Sequence, residues 1–483
     1  MNFTVPPTVL QHRVWSGLSI LVILALGFAS SVTAGGMTFG TSASGIHNNE
    51  NPASFAEKDE LTLRDAAILA LQRNPELASF AREKRALEGA TLQAGLLRNP
   101  ELSVNIENAG NIQPLSGDVN SSKNVAQEVV QQNTTIKISQ LIELGGKRAA
   151  RVTVSLLGEE LAVQDYEARR VELVARVANI FIEVLAGQAQ LQFAEEGMNL
   201  AQQVADTVGK RVRAGKVPPI EEVRIGVALS TARIALVQAQ RDLVAARKRL
   251  ALLWGNSSPQ FSKVLGDLES AVTLPGFEIL LERALASPAA LRAIKNIEQR
   301  KALLEVEHTK RIPNLTISGG VIQHAALGGT TPVVGLAIPL PLFDRNQGNV
   351  AEANQRVDKA IDEHGAVELR LKTELTQAYE SLYAAQRETA ILRDEIIPAA
   401  RSAFAATNKG YELGKFGFLE VLDAQRTLFQ NQVLYARALA NYQRLVNEIE
   451  RLIAAPIDGV SAGVPDRTGI HSNSANKDLR SGL

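Results

Sequence analysis

The stretch PNLTISGG, Pro313–Gly320, decides the fold. It follows a long run of helix formers, LASPAALRAIKNIEQRKALLEVEHTKRI (Leu285–Ile312), and breaks that run at a proline. A residue that precedes proline is pushed out of the α region, so Ile312 marks a helix end. Beyond it Leu315 and Ile317 alternate with Thr316 and Ser318, the period of a half-buried strand. The same step occurs earlier, at PELSVNIE (Pro100–Glu107), where Asn99 ends a helix and Leu102, Val104 and Ile106 alternate with Ser103, Asn105 and Glu107.

The recurrence extends well beyond the two prolines. LQRNPELASFAREKRALEGATLQAGLLRNPELSVN from Leu71 lies against LASPAALRAIKNIEQRKALLEVEHTKRIPNLTIS from Leu285, with Pro75 over Pro288 and Pro100 over Pro313. Further on, RVRAGKVPPIEEVRIGVAL from Arg211 lies against GYELGKFGFLEVLDAQRTL from Gly410. A repeat of about 200 residues is far longer than a solenoid unit, so the molecule is a duplicated half.

Each half predicts the same order of elements. Helix leads to proline, then strand, then a return strand: TTIKISQLIEL from Thr134, and PVVGLAIPLPLF from Pro332 with Val334, Leu336, Ile338 and Leu340 on one face. A long polar connection from Gly110 to Asn133 joins the first pair as a surface loop. The return strand runs into a helical pattern of roughly 60 residues, which would reach about 90 Å. In the second half Leu371, Leu375, Ala378, Leu382, Ala385, Thr389, Leu392 and Ile396 step by four and three as a heptad seam, and Pro398 predicts a kink. In the first half Val177, Val184, Leu191 and Met198 recur beside Val174 and Phe181. Each rod turns at a Gly-Lys pair, AGKVPPIEE (Ala214–Glu222) or LGKFGFLEV (Leu413–Val421), and returns as another helix.

Composition narrows the class. The chain has 483 residues, a formal net charge of zero, 45% hydrophobic and only 5% aromatic residues, a balance that favours long helices. Neutrality argues against nucleic acid as a partner. The absence of cysteine removes disulfides, thiolate catalysis, thiolate metal sites and an acylated N-terminal Cys. His12 and Arg13 precede an apolar run from Leu18 to Ala29, and small residues after it offer a cleavage point after Ala34, which predicts a secretory signal peptide over 1–34. The apolar run falls short of a spanning helix, and no later segment is long and apolar enough to be one. Any membrane span must therefore be built from strands.

Hydrocarbon tolerates only helices or closed barrels, because unpaired backbone groups cannot be left there. Four strands cannot close a barrel alone, whereas three chains would pool twelve. The proline then marks the place where a membrane strand becomes a helical tube.

At this point the chain resembles the TolC family of outer-membrane efflux ducts. The resemblance rests on NPEL (Asn99–Leu102) and IPNL (Ile312–Leu315) at the helix-to-strand step, on YELGKFGFLEVLDAQRTL (Tyr411–Leu428) at the rod tip, and on the duplicated half. ELGGKRAAR (Glu143–Arg151) and IPLPLFDRNQGNV (Ile338–Val350) are similar in particular to the cobalt-zinc-cadmium, CzcC-like branch. The resemblance covers about Leu61 to Ala455. It implies a mainly α protein with membrane β: a trimeric twelve-stranded β-barrel, four strands per chain, continuous with a long periplasmic α-helical barrel. It also implies a passive efflux channel in the outer membrane, joined by a periplasmic adaptor to an inner-membrane proton-driven pump of the resistance-nodulation-division type. Divalent metal cations such as cobalt, zinc and cadmium are the expected cargo, and organic compounds or drugs the alternative. The chain then divides into the signal peptide (1–34), a flexible segment (35–60), a first duct repeat (61–260, strands near 100–108 and 134–144), a second (261–455, strands near 313–324 and 332–343) and a flexible tail (456–483).

Candidate functional residues cluster at the rod tips. Glu420 and Asp423, three apart, share a helix face, and threefold symmetry would make them rings of carboxylates on the positions that narrow the periplasmic entrance in the family. The alternative is a solvated first turn, where acids favour the helix dipole. Tyr411 matches the family's tyrosine of the closure network and Glu221 its acidic partner. Phe416 stands where the family has a basic group, with Lys415 beside it, so Lys415 either pairs with Glu221 or serves only as a helix-end charge. Gly215, Lys216, Val217, Pro218, Gly414, Lys415, Phe416, Gly417 and Phe418 form the expected adaptor contact, with both phenylalanines exposed on a turn; the alternative packs them between neighbouring hairpins.

No chemistry of catalysis is visible. The six histidines, His12, His47, His308, His324, His364 and His471, are not paired at helical spacing, and with three methionines they form no metal cage. There is no nucleophile elbow and no phosphate loop, so neither an enzyme nor a cofactor is expected. A periplasmic coiled-coil adaptor, the remaining rival, shares secretion and hairpins but does not need two matched strand pairs.

Overall fold

A computed structural model describes residues 59–107, 132–324 and 328–457. The signal peptide, the N-terminal segment up to residue 58, most of the polar connection after Gly110 and the tail from residue 458 lie outside the described residues. In chain order the elements are β1 (Glu60–Thr62), α1 (Leu63–Arg73), α2 (Pro75–Ala94), β2 (Glu101–Glu107), β3 (Asn133–Ile142), α3 (Lys147–Arg213) and α4 (Ile220–Leu252). The second half follows with β4 (Lys263–Leu265), α5 (Phe277–Leu285), α6 (Pro288–Lys310), β5 (Leu315–His324), β6 (Gly329–Ala337), α7 (Gln347–Ile391), a π-helical turn (Leu392–Ile396), α8 (Ile397–Glu412) and α9 (Phe418–Ile453).

Strands β2, β3, β5 and β6 form one antiparallel sheet in that order. Register puts Leu102 opposite Ile138, Val104 opposite Ile136, Ile136 opposite Val321 and Ile317 opposite Leu336, so one face is apolar across all four strands. That face is bare: Leu102 is 66% and Val334 85% exposed. The other face carries Ser103, Asn105, Lys137, Ser139 and Thr331. A lysine on the lipid side of a membrane sheet costs about 2–4 kcal/mol at mid-depth, which assigns the apolar face, not the face of Lys137, to lipid.

The last strand differs from its sequence expectation at both ends. It begins at Gly329, before Pro332, and stops at Ala337 instead of near 343. Pro339 and Pro341 donate no amide hydrogen, so Ile338–Phe343 cannot extend the ladder. Pro332 is accommodated because β6 is an edge strand.

Helix α3 is a single run of 67 residues, about 100 Å long. The second rod is interrupted. Its seam is buried as expected at Leu371, Leu375, Ala378, Leu382, Ala385 and Leu392. The proline, however, is met by a wide turn, in which the amide of Ile397 donates to the carbonyl of Leu392. Pro398 has no amide for the carbonyl four residues earlier, and the π-turn spaces the chain around that missing bond.

Between sheet and tips the two halves are laced together. A parallel pair of three-residue strands, β1 with β4, was not foreseen. It packs Leu61, Phe261 and Val264 into a cluster with Val177, Phe181 and Leu250, so the start of the second sequence repeat belongs to the core of the first. Gln188 clips it in place, donating through Nε2 to Val264 O (3.1 Å) and accepting through Oε1 from Val264 N (2.8 Å). Asn447 on α9 donates to Ala175 O at 2.9 Å.

The corners between sheet and rods are fastened by side chains that bridge to the preceding helix. Arg151 holds both oxygens of Glu143 at 2.8 and 3.1 Å and donates through Nε to Ala94 O at 3.0 Å. In the second half Asn346 performs the equivalent task, donating to Glu307 O at 2.8 Å. Glu143 is largely shielded, with 11% of its side chain exposed, and without Arg151 it would lose both of its close hydrogen bonds and keep only Arg98, at 3.8 Å. Arg151→Ala is expected to destabilise the corner by about 2 kcal/mol, with Arg151→Lys recovering part of it. Thermal unfolding followed by far-ultraviolet circular dichroism checks this; an unchanged midpoint would refute it.

Candidate functional site

Both hairpin tips are built by the same backbone device. Gly215 and Gly414 adopt φ of 65° and 73°, a region that favours glycine. In each case the following lysine amide reaches back across the last turn, Lys216 N to Arg211 O at 2.9 Å and Lys415 N to Gly410 O at 2.8 Å. The glycine amides close the inner bonds to Val212 O and Tyr411 O, both at 2.9 Å. These are Schellman closures, which satisfy the helix-end carbonyls and fix the reversal.

The two tips are joined by Tyr411, whose hydroxyl donates to Glu221 Oε2 at 3.0 Å. The Arg211 guanidinium lies over the Tyr411 ring, 4.4 Å from its centroid, and donates to the Tyr411 carbonyl. The Phe418 ring packs at 5.9 Å on the same tyrosine. Around them Val204, Val208, Ile225, Phe404 and Val421 complete a local core. Burial first, then the hydrogen bond to the Glu221 carboxylate, pushes the Tyr411 hydroxyl up to about 12. The tyrosine is thus a neutral donor clamped between a cation on its face and an anion at its edge.

The candidate residues are therefore only partly brought together. Tyr411 and Glu221 meet. Lys415 makes no ion pair among the described residues, and the basic group near the bond is Arg211, which the sequence reading missed. In the repeat alignment Arg211 stands opposite Gly410, so its role appears only once the hairpins pack. Phe418 is a correction, because it is 3% exposed and belongs to the tip core. Phe416 is 48% exposed and lies against Gly410, whose missing side chain leaves it room: a Cβ there would stand 2.1 Å from the ring. Glu420 and Asp423 are both exposed on the first turns of α9. Glu420 folds back over Gly417, its Oε2 2.7 Å from where a Cβ would be, whereas Asp423 faces a groove of about 1210 Å³ together with Arg224, Arg401 and Arg426. Pro100 directly precedes β2 and Pro313 lies between α6 and β5, but α2 stops at Ala94, five residues short of the helix end expected at Asn99. Among the described residues no three His, Asp or Glu side chains converge on a metal position.

A sheet with one lipid-type face, open at both edges and continued into paired rods, defines a β-type membrane duct. No described helix is long and apolar enough to cross a membrane. Comparison with known proteins agrees. Residues 67–256 and 280–455 match the outer membrane efflux protein family. The cobalt-zinc-cadmium resistance protein CzcC of Cupriavidus metallidurans is 34% identical over 393 residues, 81% of this chain and 90% of that protein. The nickel-cobalt-cadmium resistance protein NccC of Alcaligenes xylosoxydans xylosoxydans is 28% identical over 288 residues, 59% of this chain and 62% of its own. A solved structure of CusC superposes with a TM-score of 0.66 at 18% identity, covering 81% of this chain and 92% of CusC.

The chain belongs to the outer membrane efflux protein family. It is an efflux channel of the outer membrane whose helices extend into the periplasm.

Tyr435 offers a second clamped phenol, bonded to Glu269 Oε1 at 2.9 Å and likewise pushed up to about 12, chiefly by burial. A folded value of 12 against an ordinary 10 means that the stability from Tyr411 is complete below pH 10 and lost as pH rises toward 12. In a tyrosinate absorbance titration Tyr411→Phe is expected to remove one phenol from the phase near pH 12. A variant that loses amplitude near pH 10 instead would contradict the clamp.

Proposed function

We propose that three copies of this chain close a twelve-stranded barrel and hang a helical tube below it, as the outer-membrane exit of a tripartite metal-cation efflux system. The observation that carries the cargo is the 34% identity to a cobalt-zinc-cadmium resistance protein over 90% of its length. Closure is supported by the unpaired outer edges of β2 and β6. It is supported as well by an exposed apolar stripe on α4, where Ile220, Val223, Val227, Ile234 and Val237 fall at heptad spacing with no cover within one chain.

Cargo selection belongs upstream in this reading. The described residues offer no metal cage, and a passive duct needs none. Its partners are a periplasmic adaptor, engaged by the tip residues Gly215, Lys216, Val217, Pro218, Gly414, Lys415, Phe416 and Gly417, and an inner-membrane pump of the resistance-nodulation-division type. Tyr411 and Glu221 hold the tips together at rest. Glu420 and Asp423, repeated three times, favour cations at the entrance.

Deleting the gene is expected to lower tolerance to zinc, cobalt or cadmium at least severalfold while leaving drug tolerance unchanged, measured as growth in graded concentrations. The reverse pattern would instead favour a duct for organic compounds. For the closure contact, Tyr411→Phe removes one hydrogen bond to a charged group, worth about 1.5–3 kcal/mol, and so is expected to raise the open population more than tenfold. Single-channel conductance in planar bilayers reads this, and an unchanged open fraction would remove Tyr411 from the gate.

A further inference from the structure

The periplasmic rim of the sheet carries side chains that conduction does not use. After β6 the chain continues as IPLPLFD, in which Leu340 is 74%, Leu342 65% and Phe343 91% exposed. This segment prolongs the apolar face begun by Val334 and Leu336. Pro339 and Pro341 remove two amide donors from it, which eases its contact with an apolar medium.

Three arginines stand beside this segment at the same rim. Arg148, Arg311 and Arg345 are all exposed, and none joins a described ion pair. The corner contacts bring them to one level. Asn346, next to Arg345, bonds the carbonyl of Glu307 near the end of α6, and Lys147, next to Arg148, bonds Asn314 just past Arg311. Of the neighbouring acids, Glu143 is paired with Arg151 and Glu307 with Lys310, while the exposed Asp344 accepts from the backbone amide of Asn346, so positive charge is in excess at this rim.

We propose that this rim binds the headgroups of anionic phospholipids in the periplasmic leaflet, with Leu340, Leu342 and Phe343 seated against the acyl chains. An excess of exposed cations next to an apolar segment that continues a lipid-facing sheet matches that chemistry. The proposal rests on the outer-membrane placement of the sheet and not on the cargo.

The full chain, purified in detergent, is mixed with equal amounts of phosphatidylglycerol and phosphatidylcholine, and bound lipid is counted by native mass spectrometry. Phosphatidylglycerol is expected to be retained about tenfold over phosphatidylcholine, with the preference falling as salt rises from about 50 to about 500 mM. Arg148→Gln, Arg311→Gln and Arg345→Gln are each expected to lose about twofold and the triple variant to abolish the preference, while Arg233→Gln on α4 leaves it unchanged. Should the triple variant misfold, the single variants and the salt response of the unmodified chain still decide. In vesicles with brominated acyl chains, the indole of Phe343→Trp is expected to be quenched. Equal retention of the two lipids, or an unquenched indole covered by a neighbouring protomer, would overturn the proposal. A chain that failed to enter vesicles at all would overturn the membrane placement with it.

Discussion

Everything in this molecule depends on what a four-stranded sheet can do with its edges. In hydrocarbon each unpaired amide or carbonyl costs several kcal/mol, and two open edges present many of them. The sheet is therefore incomplete by construction. Its apolar face, continuous from Leu102 through Ile138 and Val321 to Leu336, fixes which side meets lipid, while its open edges support the proposed assembly of several copies. The rods inherit this condition. An α4 stripe from Ile220 to Val237 lies bare in one chain, which supports the same proposed assembly.

Much of this was legible because strands and helices have different periods, and proline marks the change between them. The alternation after Pro100 and Pro313 and the four-and-three stepping from Leu371 are local patterns, visible in one window of sequence. What escaped was of another kind. The pairing of Glu60–Thr62 with Lys263–Leu265 joins three-residue strands some 200 positions apart, and no local period announces it. The stacking of Arg211 on Tyr411 and the burial of Phe418 depend on how two hairpins meet. The early end of β6 is readable in Pro339 and Pro341, although the apolar alternation that continues through Leu340 points to a longer strand.

The two halves share a plan and differ in the continuity of their rods. One rod is unbroken over 67 residues, whereas the other opens into a π-turn ahead of Pro398. A wide turn lacks part of the regular hydrogen-bond ladder, so bending concentrates there. Just across from it, Glu269, Leu268 and Ser270 are bound to Tyr435 and Gln443 on α9, which ties that level of the hairpin to the rest of the molecule. Below the tie, α8 and the start of α9 are held to the first hairpin chiefly by the tip core around Tyr411. In the proposed gate, a hairpin tied above the π-turn and joined to its neighbour at the far end would act as a lever, with the Tyr411–Glu221 contact as its latch.

That latch arises from unequal use of an equal inheritance. With Gly215 placed over Gly414, Glu221 falls over Glu420, so the same first-turn acid is present on both hairpins. Hairpin one enters its return helix through Pro218 and Pro219, whose preset backbone needs no side-chain cap. Glu221 is thereby released to accept from Tyr411. Hairpin two enters through Gly417, which has no side chain to cap the helix, and Glu420 folds back over it. The difference between a carboxylate that bonds the other hairpin and one that folds back over its own turn therefore goes with the two residues that precede the helix, not with the acid itself.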